Sequence, residues 1–351
     1  MSRTSRYRRS GEMIPERSGA WGRLLPVGRI RGRTYPDAGD AVVEISPACL
    51  RLASPTDSLR GYGAAVAWLF GIAMAVAAIV FVTRFDATGR GYARDFFVVS
   101  SLLTALAVIG LTAGYKMTFD PVAETAIISR RLRRIYAWTK RTGWVFIDYD
   151  RAIAIVRKRR LTTTTGSTIL YPLGVAELWP DERRARIGIT LTSPFPSPQP
   201  AAELWDFVRC YMEEEPEKVT PVRLTPDHRV NAYAWMDREL YADAVDRQHH
   251  LTGFGGVAFW FFASMFYGGN WLEYWIRNHA PRPALPAELA EALKWDGENP
   301  YRIIPPTQEE QLAAEGRLPH LKKRWRIVSF FGLLFWVILP LLFFSVFLFG
   351  G

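Results

Sequence analysis

The chain has 351 residues, a formal net charge of +10 and 49% hydrophobic residues. That apolar share is ordinary for a globular protein, so the information lies in its distribution. Cys49 and Cys210 stand far apart without a partner motif, which excludes a disulfide framework and a cysteine zinc site.

The first residues, up to about Pro36, are rich in Arg, Gly, Ser and Pro, and the region 1–61 is expected to be basic and largely disordered. No apolar run follows closely on the first arginines, so a cleavable secretory signal is not expected. Gly63–Thr83 carries no charge for 21 residues, and a helix needs about 20 such residues to cross a bilayer core. Phe96–Tyr115 is a second uncharged block, and the short polar link Arg84–Asp95 makes the two a transmembrane hairpin over 62–116. Ile327–Gly350 is the third block, with Pro340 inside it, giving a C-terminal transmembrane helix over 327–351.

Between these blocks the pattern changes to short alternating segments separated by turn signals. Ala123–Ser129 and Arg134–Trp138 flank the charged turn Arg130–Arg133. Trp144–Tyr149 and Ala152–Arg157 follow, then a basic, threonine-rich loop at Lys158–Gly166, then Thr168–Leu173, Val175–Trp179 and Arg186–Thr192. After the proline-rich stretch 193–200, Pro200 is expected to open an amphipathic helix. That helix turns Leu204, Val208 and Tyr211 inward and Glu203, Asp206 and Arg209 to solvent. The expectation is an α+β membrane protein in which transmembrane helices flank a PH-like β-barrel or sheet domain over 117–220, closed by its C-terminal helix.

The region 221–326 is expected to be a linker. It includes a helix over Trp235–Gln248 and a proline-rich stretch at Ala280–Leu289. Leu251–Trp275 is apolar and aromatic but ends on Gly268, Gly269, Asn270 and Glu273. An Arg-rich N-terminus predicts a cytoplasmic N-terminus and soluble domain. If Leu251–Trp275 crossed, Lys322, Lys323, Arg324 and Arg326 would lie outside, so charge bias favours an interfacial segment. A fourth span stays open.

DSLRGYG before the first span, FDPVAETAIISRRLRRIYAW, GWVFIDYD and ELWDFVRCYMEEEPEKV occur in this order. Together they resemble a bacterial membrane protein family, domain of unknown function 6708. The resemblance covers most of Asp57–Val219 and, more weakly, WLEYWIR and KKRWR. It implies a multi-pass protein of the bacterial inner membrane with a soluble domain, often encoded beside type VI secretion clusters. It carries over no catalytic residue.

Candidate sites are few. Arg130, Arg131, Arg133, Arg134, Lys158, Arg159 and Arg160 form the sharpest cluster, with Lys140 and Arg141 nearby, and are the candidate contacts to anionic lipid or a protein partner. Basic side chains beside membrane spans are also commonly a solvated face. His249–His250 with Asp246 makes a poor metal set, Asp227–His228 has no nucleophile elbow, and Gly253–Gly256 lacks phosphate-loop spacing. Glu273 is the one ionisable group in its apolar block; at an interface it reaches water. No cofactor, metal, nucleic-acid partner or enzymatic activity is expected. The expected role is an inner-membrane interaction protein, an adaptor or immunity-like partner of a secretion effector or secretion-system component. The alternative is a lipid-responsive regulator binding anionic headgroups through its basic domain.

Overall fold

The computed structural model describes residues 13–14, 22–24, 35–53, 60–84, 92–123, 125–163, 166–179, 185–225, 231–240, 253–342 and 345. In chain order come β1 (Met13–Ile14), β2 (Gly22–Leu24), β3 (Val42–Ile45), β4 (Cys49–Ala53) and the long helices α1 (Arg60–Arg84) and α2 (Tyr92–Phe119). The strands β5 (Thr125–Ser129), β6 (Arg134–Thr139), β7 (Gly143–Asp148), β8 (Ile153–Val156), β9 (Arg159–Thr163), β10 (Gly166–Leu170), β11 (Leu173–Leu178) and β12 (Ala185–Thr190) follow. Then come α3 (Pro198–Glu213), β13 (Val222–Arg223), α4 (Ala232–Leu240), α5 (Gly253–Met265), α6 (Tyr267–His279), α7 (Ala287–Ala292), β14 (Ile303–Ile304), α8 (Gln308–Ala314) and α9 (Pro319–Leu333). The chain divides into a sheet-bearing unit, 1–56, 122–227 and 282–306, and a helical unit, 57–121, 228–281 and 307–351.

In the sheet unit, β3-β4-β5-β6-β7 form one five-stranded antiparallel sheet and β1-β2-β8-β11-β12 a second. Alternation of side chains along a strand sends Leu50, Leu52, Ala126, Ile128, Ile135 and Ile147 of the first sheet into one core. Ala154, Val156, Leu173, Val175 and Ile189 of the second sheet enter it too. From α3, Leu204, Phe207, Val208 and Tyr211 complete that core. The barrel anticipated from the strand order does not close. Among the described strands, β3, β7, β1 and β12 are sheet edges.

Several boundaries differ from the sequence expectation. Residues 35–53 lie in the sheet unit, with Val42, Leu50 and Leu52 fully buried, so that unit extends beyond 117–220 and region 1–61 is ordered there. Residues 1–12, 15–21 and 25–34 lie outside the described ones, and with them most of the expected disordered tail. The expected loop Lys158–Gly166 contains β9, paired with β10. Helix α3 opens at Pro198 rather than Pro200, and its Asp206 is buried, 3.3 Å from Arg209, instead of facing water.

In the helical unit, the helices over Arg60–Thr83, Asp95–Phe119 and Pro319–Leu342 are long and apolar enough to cross a membrane. The third runs through a π-turn at Leu334–Ile338 just before Pro340. Proline removes a backbone donor and crowds the carbonyl of the preceding turn, and a wider turn absorbs both effects. Leu251–Trp275 becomes two helices, α5 and α6, of 13 residues each, meeting at Phe266. Backbone hydrogen bonds from Phe266 to Phe262 and from Asn270 to Phe266, 2.9 Å each, run across that junction. Residues 241–252 lie outside the described ones, which leaves the expected end of the Trp235 helix there.

Candidate membrane-surface interface

The seven basic residues singled out from sequence fall into two groups. Arg130, Arg131, Arg133 and Arg134 lie on and after the turn between β5 and β6, and all four guanidiniums are engaged inside the sheet unit. Arg130 donates to the Tyr301 hydroxyl at 2.7 Å and to the Glu214 carbonyl at 2.5 Å, with its head 5.8 Å from the Tyr211 ring centre. Arg131 donates to the Lys294 carbonyl at 2.8 Å and sits over Trp295. Arg133 holds both oxygens of Asp150, at 3.0 and 2.5 Å, a bidentate pair. This hydrogen bond lowers the Asp150 carboxyl and raises the arginine. Arg134 bridges Asp148 at 3.1 Å and Glu288 at 2.6 Å across the Phe146 ring.

Three of these arginines therefore fasten the segment 282–304 to the sheet. The proline-rich stretch anticipated as a linker is a strap. Its short helix α7 buries Leu289 completely against Cys49, Ile127 and Tyr136 on the outer face of β4–β6. Trp144 closes the strap by donating from its indole nitrogen to the Ala284 carbonyl at 2.8 Å. Truncating a fully buried leucine costs about 2–5 kcal/mol. Leu289→Ala should accordingly lower the unfolding temperature of the sheet unit and open 282–304 to limited proteolysis; unchanged cleavage would show that the strap is held by its ends alone.

Lys158, Arg159 and Arg160 are placed differently. They are exposed at the root of the β9–β10 ribbon, and none forms an ion pair with a described residue. Beside them the half-buried Arg157 has an Nε without a hydrogen-bond partner among the described residues. Burial, and then the charge of Arg159, lower its pKa. The nearest carboxylate along the paired strands is Glu177, already flanked by Arg151 and Arg186 at 3.6 Å each. Strand register pairs Leu173 with Val156 and Ala176 with Ile153, so Glu177 lies roughly 17 Å along the sheet from Arg157 at about 3.3 Å per residue. The basic run 157–160 is thus a positive patch without an ion pair to any described residue.

A second polar cluster, inside the helical unit, was only partly visible in the sequence. Glu273 is buried instead of reaching water. Its carboxylate accepts from the Gly61 backbone N–H at 2.6 Å, in the first turn of α1, and from Arg277 at 2.8 Å. A carboxylate there satisfies an orphan donor and the positive end of the helix. Arg60 does the reverse for α2, donating to the carbonyls of Met117 and Asp120 at its C-terminal end. Nothing local in the sequence announces that residue 61 meets residue 273. The described residues contain no group of three metal-ligating side chains, while His249, His250, Asp246, Asp227 and His228 all lie outside the described residues. Comparison with family models, with characterised proteins and with solved structures finds no match to this chain.

Proposed function

We propose that this chain is an inner-membrane interaction protein whose sheet unit is a permanently tethered docking module, an adaptor or immunity-like partner rather than an enzyme. The supporting observation is the connectivity. β4 and β5 are hydrogen-bonded neighbours, Ala53 opposite Thr125, yet the whole α1–α2 hairpin is inserted between them. The chain leaves one unit for the other after Thr56, Pro121, Asp227, Pro281 and Pro306. A module built from three separated stretches of chain cannot be shed from its membrane helices, which suits a protein that holds partners at the bilayer.

Two antiparallel sheets followed by a helix are the elements of a PH-like architecture, our finer reading of the fold. The Arg-rich N-terminus supports a cytoplasmic placement by charge bias. The link to type VI secretion, with an effector or secretion component as partner, rests on the family resemblance alone. The test is crosslinking in native membranes, extraction in mild detergent and identification of co-purified proteins. Recovery of a secretion component or effector is the expected result. Recovery of only lipid and the chain itself, in cells expressing the cluster, overturns the adaptor reading.

A further inference from the structure

We propose that the β9–β10 ribbon, through Lys158, Arg159 and Arg160, docks on the anionic phospholipid headgroups of the bilayer that holds the chain's own helices. The proposal goes beyond the adaptor reading and does not depend on it. It also divides the basic residues: the arginines at 130–134 are structural fasteners, and the lipid contact belongs to 158–160.

Charge is the first argument. Three exposed cations on one short stretch lie beside a half-buried fourth, Arg157, whose Nε has no hydrogen-bond partner among the described residues. Such a patch is repulsive to itself and is relieved by an anion. The ribbon itself is the second. It is a separate two-stranded sheet, and an isolated two-stranded hairpin is marginally stable in water unless a surface supports it. Its register places Arg159 opposite Leu170 and Arg160 opposite Ile169. Successive side chains alternate, so each face of the ribbon carries a cation beside an aliphatic side chain. That pairing suits a headgroup region, where the aliphatic body sits against the acyl boundary and the charged head reaches phosphate.

Tethering is the third argument. The sheet unit is joined to the helical unit at five points in the chain, the first two of them leading to the span-length apolar helices α1 and α2, so contact with the bilayer is intramolecular and benefits from a high effective concentration. Each basic residue near an anionic surface contributes about 1 kcal/mol, or about fivefold, so three give on the order of a hundredfold preference over a neutral surface. The attraction fades within about 8 Å at physiological salt.

The experiment uses the full chain in nanodiscs of phosphatidylcholine alone or of phosphatidylcholine with phosphatidylglycerol, followed by hydrogen exchange. Amides of 159–170 should exchange more slowly on the anionic discs, and high salt should remove the difference. Lys158→Glu with Arg159→Glu and Arg160→Glu should abolish it, while protection of β5–β7 stays unchanged and shows that the variant is folded. Equal exchange on the two discs overturns the proposal, as does a difference that survives charge reversal. Slowing on neutral discs by added polyglutamate, with none from phosphatidylglycerol, also overturns it and assigns the patch to an acidic protein.

Discussion

Glu273→Ala should destabilise the helical unit by about 1–3 kcal/mol, because it leaves the Gly61 helix-start donor without its acceptor and takes from Arg277 a carboxylate 2.8 Å away. Arg277 is 11% exposed and Glu273 6%, at 2.8 Å. A pair so desolvated has little water to fall back on when one member is lost. Arg277 also lies over the Trp235 ring, so it cannot swing out without giving up that face. Glu273→Leu combined with Arg277→Met should recover only the share of the loss that comes from the ion pair, since apolar groups of similar size often replace a pair neutrally, while the Gly61 donor stays without its acceptor. Thermal unfolding in detergent, followed by tryptophan fluorescence, reads both variants. A single substitution costing under about 1 kcal/mol would place the pair in the surface class and remove Glu273 as the clamp on α1.

The legible and illegible parts of this chain separate by the range of the interaction. Strands from Ile127 to Ile189 announce themselves by alternation, and the three long apolar helices by length, because both signals are local. Val42–Ile45 and Cys49–Ala53 were hidden because two short strands beside an Arg- and Pro-rich tail have composition against them, while their burial comes from β5, reached only after the helical hairpin. Lys158–Gly166 looks like a loop since basic and threonine residues carry no apolar period. Strand β9 is held by its pairing with β10. The strap was hidden for the opposite reason. Prolines at 281, 283 and 286 forbid regular ladders, but a backbone without ladders can still dock through Leu289 and accept from Arg131 and Trp144. The arginine cluster was visible as charge; its partners Asp148, Asp150, Glu288 and Tyr301 were visible only in three dimensions.

Gly71→Leu should separate α1 from α2. A side-chain carbon at Gly71 would stand 2.6 Å from the Leu111 backbone nitrogen, and one at Gly110 would stand 2.7 Å from the Gly71 Cα. Both obstacles are backbone, so no rotamer change makes room and the helices must move apart. In lipid, apolar surfaces gain little from each other, and close packing of small residues carries association. Overpacking of this kind costs about 1–3 kcal/mol for a small side chain, and leucine adds more. Separation also weakens the Trp68 indole bond to Thr118, 3.0 Å long and one turn toward the open end. Gly71→Ala should show a smaller shift of the same sign, and Val98→Leu, at a position 58% exposed on α2, should show none. Unfolding temperatures in one detergent order the three variants. If Gly71→Leu matched Val98→Leu, the close crossing would contribute nothing to holding the hairpin whose two ends return to adjacent strands.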